Sequence, residues 1–220
     1  MIDRREALRR FAVLTGGAVS LSTAAGVMSG CEPAADDAEW TPQTLSEPEF
    51  DLMGDVVERI LPTTDTPGAR EARVHTFIDR MLTEWMPTAE RDHFLDGLDR
   101  VDAVADAEFG ASFTALSDED QDAVLRTLED EASDQDPETV IIDLQEAWPD
   151  FLIDESLVSS TGRSTELEVQ LQPFFSHVKE LTLVGYYTSE IGATQELQYE
   201  HVPGRYDGCV PLEEVGRTWA

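Results

Sequence analysis

Phe50, Met53, Val57 and Ile60 recur at three- and four-residue steps, so they share one face of a helix while the polar residues between them fall on the other. Ser46-Glu47-Pro48-Glu49 opens this run: Ser46 is placed as N-cap, Glu49 completes a capping box and Pro48 sits in the first turn. Pro62 closes it, and residues 63–68 read as a turn. From Ala69 a second helix is predicted, with Val74, Phe77, Ile78, Met81, Leu82 and Trp85 on its apolar face. After Pro87 a third, with Thr88 near its start, presents Phe94, Leu98, Val101 and Ala105, and a fourth from Ser117 carries Val124, Leu125 and Leu128.

The pattern weakens over residues 133–172. Val140-Ile141-Ile142 fits a short strand or the start of a helix running through Trp148, and residues 157–165 read as an exposed loop. The stretch is taken as an insertion with one helix. A last helix is predicted from Pro173, in its first turn, through Phe174, Phe175, Val178, Leu181 and Leu183 to about Tyr187. From the end of this helix the chain turns irregular: Gly185, Gly192, Gly204 and Gly208 are expected to interrupt any long helix, and Pro203-Gly204 and Asp207-Gly208 are turn dipeptides. The expected fold is all-α: a single helical domain of about five or six helices over residues 45–220, with an irregular C-terminal segment.

The first thirty residues read differently. Arg4-Arg5 with Leu8 at the expected offset, followed by a mildly apolar run over residues 11–28, has the form of a twin-arginine export signal, although Ala7 stands where such signals usually carry Phe. Gly16, Gly17, Ser20, Ser22, Thr23 and Gly26 keep the run below the apolar drive of a stable membrane span. Met28-Ser29-Gly30-Cys31 approximates a lipoprotein cleavage box, with Cys31 as the lipidation residue. Cleavage there leaves 190 residues, beginning with a tether over residues 31–44. The protein is therefore expected in the periplasm or cell envelope, handled by the twin-arginine translocase and held at the membrane only by a lipid anchor.

Charge removes several function classes. With 46 acidic residues against 15 basic ones, 14 of them arginine, the net charge of -31 repels nucleic acid and anionic headgroups. Two cysteines make no disulfide framework. Among His75, His93, His177 and His201, only Glu90-Arg91-Asp92-His93 has a metal-ligand spacing, that of a di-iron helix, and the second copy such a site needs is missing from the sequence. No zinc, haem-attachment, phosphate-loop, dinucleotide-binding or serine-hydrolase motif occurs, so neither catalytic residue, metal nor cofactor is expected in this chain. An acid–base cluster of His201 with Tyr199 and Tyr206 rests on adjacency alone, and the acidic surroundings of Cys209 disfavour a reactive thiolate.

Two blocks carry more specific information. Gly185-Tyr186-Tyr187-Thr188-Ser189-Glu190-Ile191-Gly192, continued by Leu197-Gln198-Tyr199 and by Val202-Pro203-Gly204-Arg205-Tyr206-Asp207-Gly208-Cys209-Val210-Pro211, holds all four tyrosines. Ile60-Leu61-Pro62-Thr63-Thr64-Asp65-Thr66-Pro67-Gly68-Ala69 precedes it. In this order they resemble the gluconate 2-dehydrogenase subunit 3 family, the small subunits of membrane-associated, flavin-dependent sugar and alcohol dehydrogenases. The resemblance implies a non-catalytic subunit that assists export and assembly. FAD would sit on a glucose-methanol-choline-type partner, and haem c on a cytochrome subunit where one is present. Tyrosine pairs a broad apolar ring with a polar tip, so Tyr186, Tyr187, Tyr199 and Tyr206, with His201, are the expected partner-binding residues. Two alternatives stand beside this: that the rings pack onto their own domain, and that the chain is a stand-alone acidic envelope lipoprotein binding a small ligand or envelope component.

Overall fold

The computed structural model of the chain describes residues 40–143, 147, 166–200, 204 and 209–219. The expectations placed on Arg4, Arg5, Leu8, Cys31, His201 and Tyr206, and on the loop at 157–165, fall outside these residues. A compact unit begins at Pro42.

Its elements follow the apolar stripes. Helix α1 spans Glu47–Ile60, and the Glu49 carboxylate accepts from the Ser46 amide at 2.6 Å, the reciprocal half of the capping box. Helices α2 (Val74–Glu84), α3 (Thr88–Phe109), α4 (Asp118–Ser133) and α5 (Phe174–Tyr187) follow, with a short 3₁₀ turn at Phe113–Ala115 and a four-residue helix, α6, at Leu212–Val215. Gly110, at φ 72°, ends α3 in the left-handed conformation that a residue without a Cβ adopts at least cost. Ser117 caps α4 by accepting from the Asp120 amide. The all-α expectation holds, with one small addition.

That addition decides between the two readings of Val140-Ile141-Ile142 in favour of the strand, while the helix expected within the insertion falls on residues that, apart from the helical Ala147, lie outside the described ones. Glu138–Asp143 and Glu166–Leu171 are strands β1 and β2 of an antiparallel pair, with Val140 opposite Val169 and Ile142 opposite Leu167. The apolar residues at 140, 142, 167, 169 and 171 share one face of the ribbon, on which Ile142 and Leu171 are buried. A three-residue apolar run gives little periodicity, and the partner strand that decides its conformation lies more than twenty residues away in the chain.

One correction concerns α2, which starts at Val74 and not at Ala69. Residues 61–70 are held in a tight loop: the Ala69 amide reaches the Leu61 carbonyl, and Glu58 accepts from the amides of Thr63 and Arg70. Arg73 then takes a left-handed φ of 58° before the helix begins. Trp85, expected on the apolar face of α2, is exposed at its end.

Helix α5 packs against α1, α2, α3 and α4 and is the centre of the bundle. Met53, Val56, Ile78, Leu82, Phe94, Leu98, Val101, Val124 and Val178, drawn from all five long helices, are fully buried. Each such side chain contributes about 1.5–3 kcal/mol on leaving water. One charged residue lies among them. Asp79 of α2 is buried, and its carboxylate accepts from the amides of Gln43, Thr44 and Leu45 at 2.9, 3.1 and 2.9 Å, which fastens the segment leading into α1.

Candidate docking surface

The two sequence blocks meet at the C-terminal end of α5. Tyr186 is buried there and donates its hydroxyl to the Pro67 carbonyl at 2.8 Å. Burial raises its pKa, so the ring carries its proton throughout the physiological range. Thr66 donates to Glu196 at 2.6 Å, a second tie between the blocks. Gly185 lets α2 approach: a Cβ there would lie 2.7 Å from Phe77 and 3.1 Å from Val74. Gly192 opens a π-helical turn, Gly192–Glu196, folded back so closely that a Cβ would lie 1.9 Å from the Tyr186 carbonyl oxygen. Both glycines of the block Gly185-Tyr186-Tyr187-Thr188-Ser189-Glu190-Ile191-Gly192 are thus close-approach positions.

The outer side of this junction is apolar. Around α5, Phe175, Val178, Leu181, Thr182, Gly185 and Tyr186 form the buried arc. Ser176 and Glu180 occupy the opposite arc in its first half, as an amphipathic helix requires. In the second half that same arc carries Leu183, Val184 and Tyr187, exposed at 39%, 45% and 39%. Helix α5 therefore becomes apolar all round where the family blocks converge. Tyr199 and Trp219 are also exposed, and the chain near them is tied together by a parallel bridge between Gln198 and Trp219, in which the Gln198 amide reaches the Thr218 carbonyl at 2.8 Å. Tyr187, Glu196, Leu197, Gly216, Arg217 and Thr218 line a shallow groove between these parts.

The sequence-predicted tyrosines consequently divide. Tyr186 is an internal residue with its hydroxyl satisfied inside the subunit, as the internal-packing alternative holds for this one ring, while Tyr187 and Tyr199 are on the surface. The sequence does not mark Leu183 and Val184 as surface residues, Leu183 being counted in the apolar run of the last helix, and it does not single out Arg217 and Trp219. The first two are visible in retrospect as apolar residues on the polar arc of a helical wheel; the others lie past the recognisable block.

The three described histidines, His75, His93 and His177, make contacts within the helical unit. His93 contacts the Gln172 carbonyl at 3.0 Å. Glu90 approaches His177 at 3.6 Å, so the Glu90/His93 spacing is used between helices. Burial lowers the His177 pKa against the opposing influence of Glu90. His75 stacks edgewise on Phe50, its Nδ1 is buried without a partner among the described residues, and burial, reinforced by Arg70 and Arg73, lowers its pKa to about 4. Among the described residues no three His, Cys, Asp or Glu side chains come together as a metal site, and no helix is long and apolar enough to cross a membrane.

A sequence model of one family, gluconate 2-dehydrogenase subunit 3, matches residues 47–204, a span that contains α1 to α5, the block Ile60 to Ala69 and the tyrosine block as far as Gly204, and that ends before Tyr206. No curated protein and no solved structure matches the chain.

Proposed function

The chain belongs to the gluconate 2-dehydrogenase subunit 3 family, and from that premise we propose that it is the non-catalytic small subunit of a flavin-dependent sugar or polyol dehydrogenase. Its mechanism is binding. The flavoprotein docks on the apolar arc of α5 and the surface tyrosines beside it, and the pair is exported under the twin-arginine signal of this chain. FAD belongs to the partner, of the glucose-methanol-choline type, and haem c to a cytochrome subunit in complexes that have one. One observation carries the reading: α5 loses its polar face at Leu183, Val184 and Tyr187, where the two family blocks are pinned together. A helix apolar on every side is stable in water only when its remaining face is covered.

Co-expression of this chain with its flavoprotein provides the test. A complex with a flavin spectrum is expected to copurify, while the small subunit alone is colourless and inactive. Val184→Asp places a charge in the centre of the apolar arc and is expected to release the flavoprotein from a subunit that still melts normally. A Val184→Asp complex of unchanged affinity would refute the docking role of α5.

A further inference from the structure

The apolar arc of α5 runs into the groove formed by Tyr187, Glu196, Leu197, Gly216, Arg217 and Thr218, and Arg217 is the cation of that groove. Its situation differs from that of other cations in the chain. Arg59 lies against Asp118 and Asp122, Arg100 against Glu131 and Lys179 against Glu129. In a chain of net charge -31 a local carboxylate is readily found. Arg217 instead gives one guanidinium N–H to the Gln195 carbonyl, and no carboxylate among the described residues forms an ion pair with it. Glu196, the carboxylate that shares the groove, is engaged by Thr66 of the neighbouring loop.

One N–H fixed on a carbonyl orients the guanidinium plane and leaves its remaining donors for a ligand. The planar fork matches the two oxygens of a carboxylate, and the pair strengthens when an adjoining apolar contact excludes water. Building on the docking role proposed above, we infer that Arg217 is the charge-selecting point of the docking surface and takes a surface Asp or Glu side chain of the flavoprotein. Charge complementarity fixes this class of occupant. Glu180 on α5, Glu200 and, on α6, Glu213 and Glu214 are all exposed in a chain of net charge -31, so an acidic side chain of the partner is repelled by the surface at large and attracted at Arg217. The apolar arc supplies contact area; Arg217 sets the register in which that area is used.

The test measures dissociation constants of the full chain with its flavoprotein over a series of NaCl concentrations, for wild type, Arg217→Gln and Arg217→Lys. At low salt Arg217→Gln is expected to weaken the complex about tenfold, and the deficit should shrink toward nothing as salt screens the pair. Arg217→Lys, which keeps the charge and loses the fork, should fall between the two. Wild-type affinity of Arg217→Gln at low salt overturns the inference. So does a deficit of equal size at every salt concentration, the result of merely unfastening Arg217 from Gln195. The docking role itself fails on a different result, unchanged affinity of Val184→Asp; a wild-type chain that forms no complex at all overturns both.

Discussion

A helix turns by about 100° per residue, so Tyr186 and Tyr187 start from different arcs at the end of α5: one ring is buried and reaches Pro67, the other lies on the apolar arc with its ring edgewise to the first, centroids 5.3 Å apart. Their substitutions should separate two properties. Tyr186→Phe removes one internal hydrogen bond and should lower stability by about 1 kcal/mol with affinity for the flavoprotein unchanged. Tyr187→Ala removes the edgewise contact with Tyr186, so it should lower the stability of the free subunit by about 0.5–1.5 kcal/mol, and should weaken the complex of the folded variant about thirtyfold, equivalent to about 2 kcal/mol. Melts of the free variants beside titrations with the flavoprotein decide it, and normal affinity of a folded Tyr187→Ala subunit would contradict the assignment. His75 supplies a prediction in pH. Its pKa of about 4 in the folded chain lies below the ordinary 6.5, so between these values the unfolded chain takes up a proton that the folded one refuses. Stability is therefore lost as pH falls through that window, by about 1–2 kcal/mol after allowance for partial exposure. His75→Phe removes this loss, together with the orphaned Nδ1, and should melt less steeply with acid than wild type. Parallel acid profiles for the two proteins would rule the mechanism out.

Helix α2 shows how one side chain organises an element and its neighbours. Three backbone amides, of Gln43, Thr44 and Leu45, converge on the buried Asp79 carboxylate, and Thr44 is tied again through its hydroxyl to Thr83 at 2.7 Å. Asp79→Ala leaves those donors without their acceptor and should cost about 3–5 kcal/mol, measured by denaturant unfolding, while Asp79→Asn, which keeps one carbonyl oxygen, should recover part of it. A loss below about 1 kcal/mol for Asp79→Ala would mean that water replaces the carboxylate without penalty. Such an anchor is hard to foresee, because an aspartate between Ile78 and Arg80 reads as part of a polar face and its partners lie 34 to 36 residues away. The helices themselves were legible from local chemistry: Ser46 with Glu49, Ser117 and Pro173 all stand where helices begin. The hairpin was not, since strand pairing is a non-local decision for which a run such as Val140-Ile141-Ile142 gives no period. The docking surface was half legible. The tyrosine block stood out, but which tyrosine turns inward depends on Pro67, 119 residues earlier, and the apolar arc is seen only once the buried arc of α5 is known.

The proposed export signal and the net charge of -31 govern where the protein goes and how its stability responds to salt. The proposed signal makes transport depend on Arg4 and Arg5, so replacing both by lysine should hold the protein in the cytoplasm; fractionation showing undiminished export would refute it. Cleavage before Cys31 would remove four arginines and two acidic residues, moving the net charge from -31 to -33. A surface of that charge acts in two opposing ways. Exposed pairs such as Arg80–Glu84 and Arg126–Asp122 are stabilising by about 0–1 kcal/mol each and weaken as salt is added. Repulsion among the many carboxylates without a cation is also screened, and with 46 acidic against 15 basic residues the repulsive contacts outnumber the attractive ones. Raising NaCl from about 0.1 to about 1 M shortens the screening length from about 10 to about 3 Å, which quenches repulsion across the surface. The net effect should be stabilisation, a rise in Tm of roughly 3–10 °C for a chain of this size. Sucrose in place of salt separates screening from solvent exclusion: it strengthens apolar burial without adding ions, so its effect should not depend on charge. Replacing exposed acids, for example Glu213→Gln with Glu214→Gln, should therefore shrink the NaCl response and leave the sucrose response alone. A Tm that falls with NaCl would show instead that the ion pairs outweigh the repulsion.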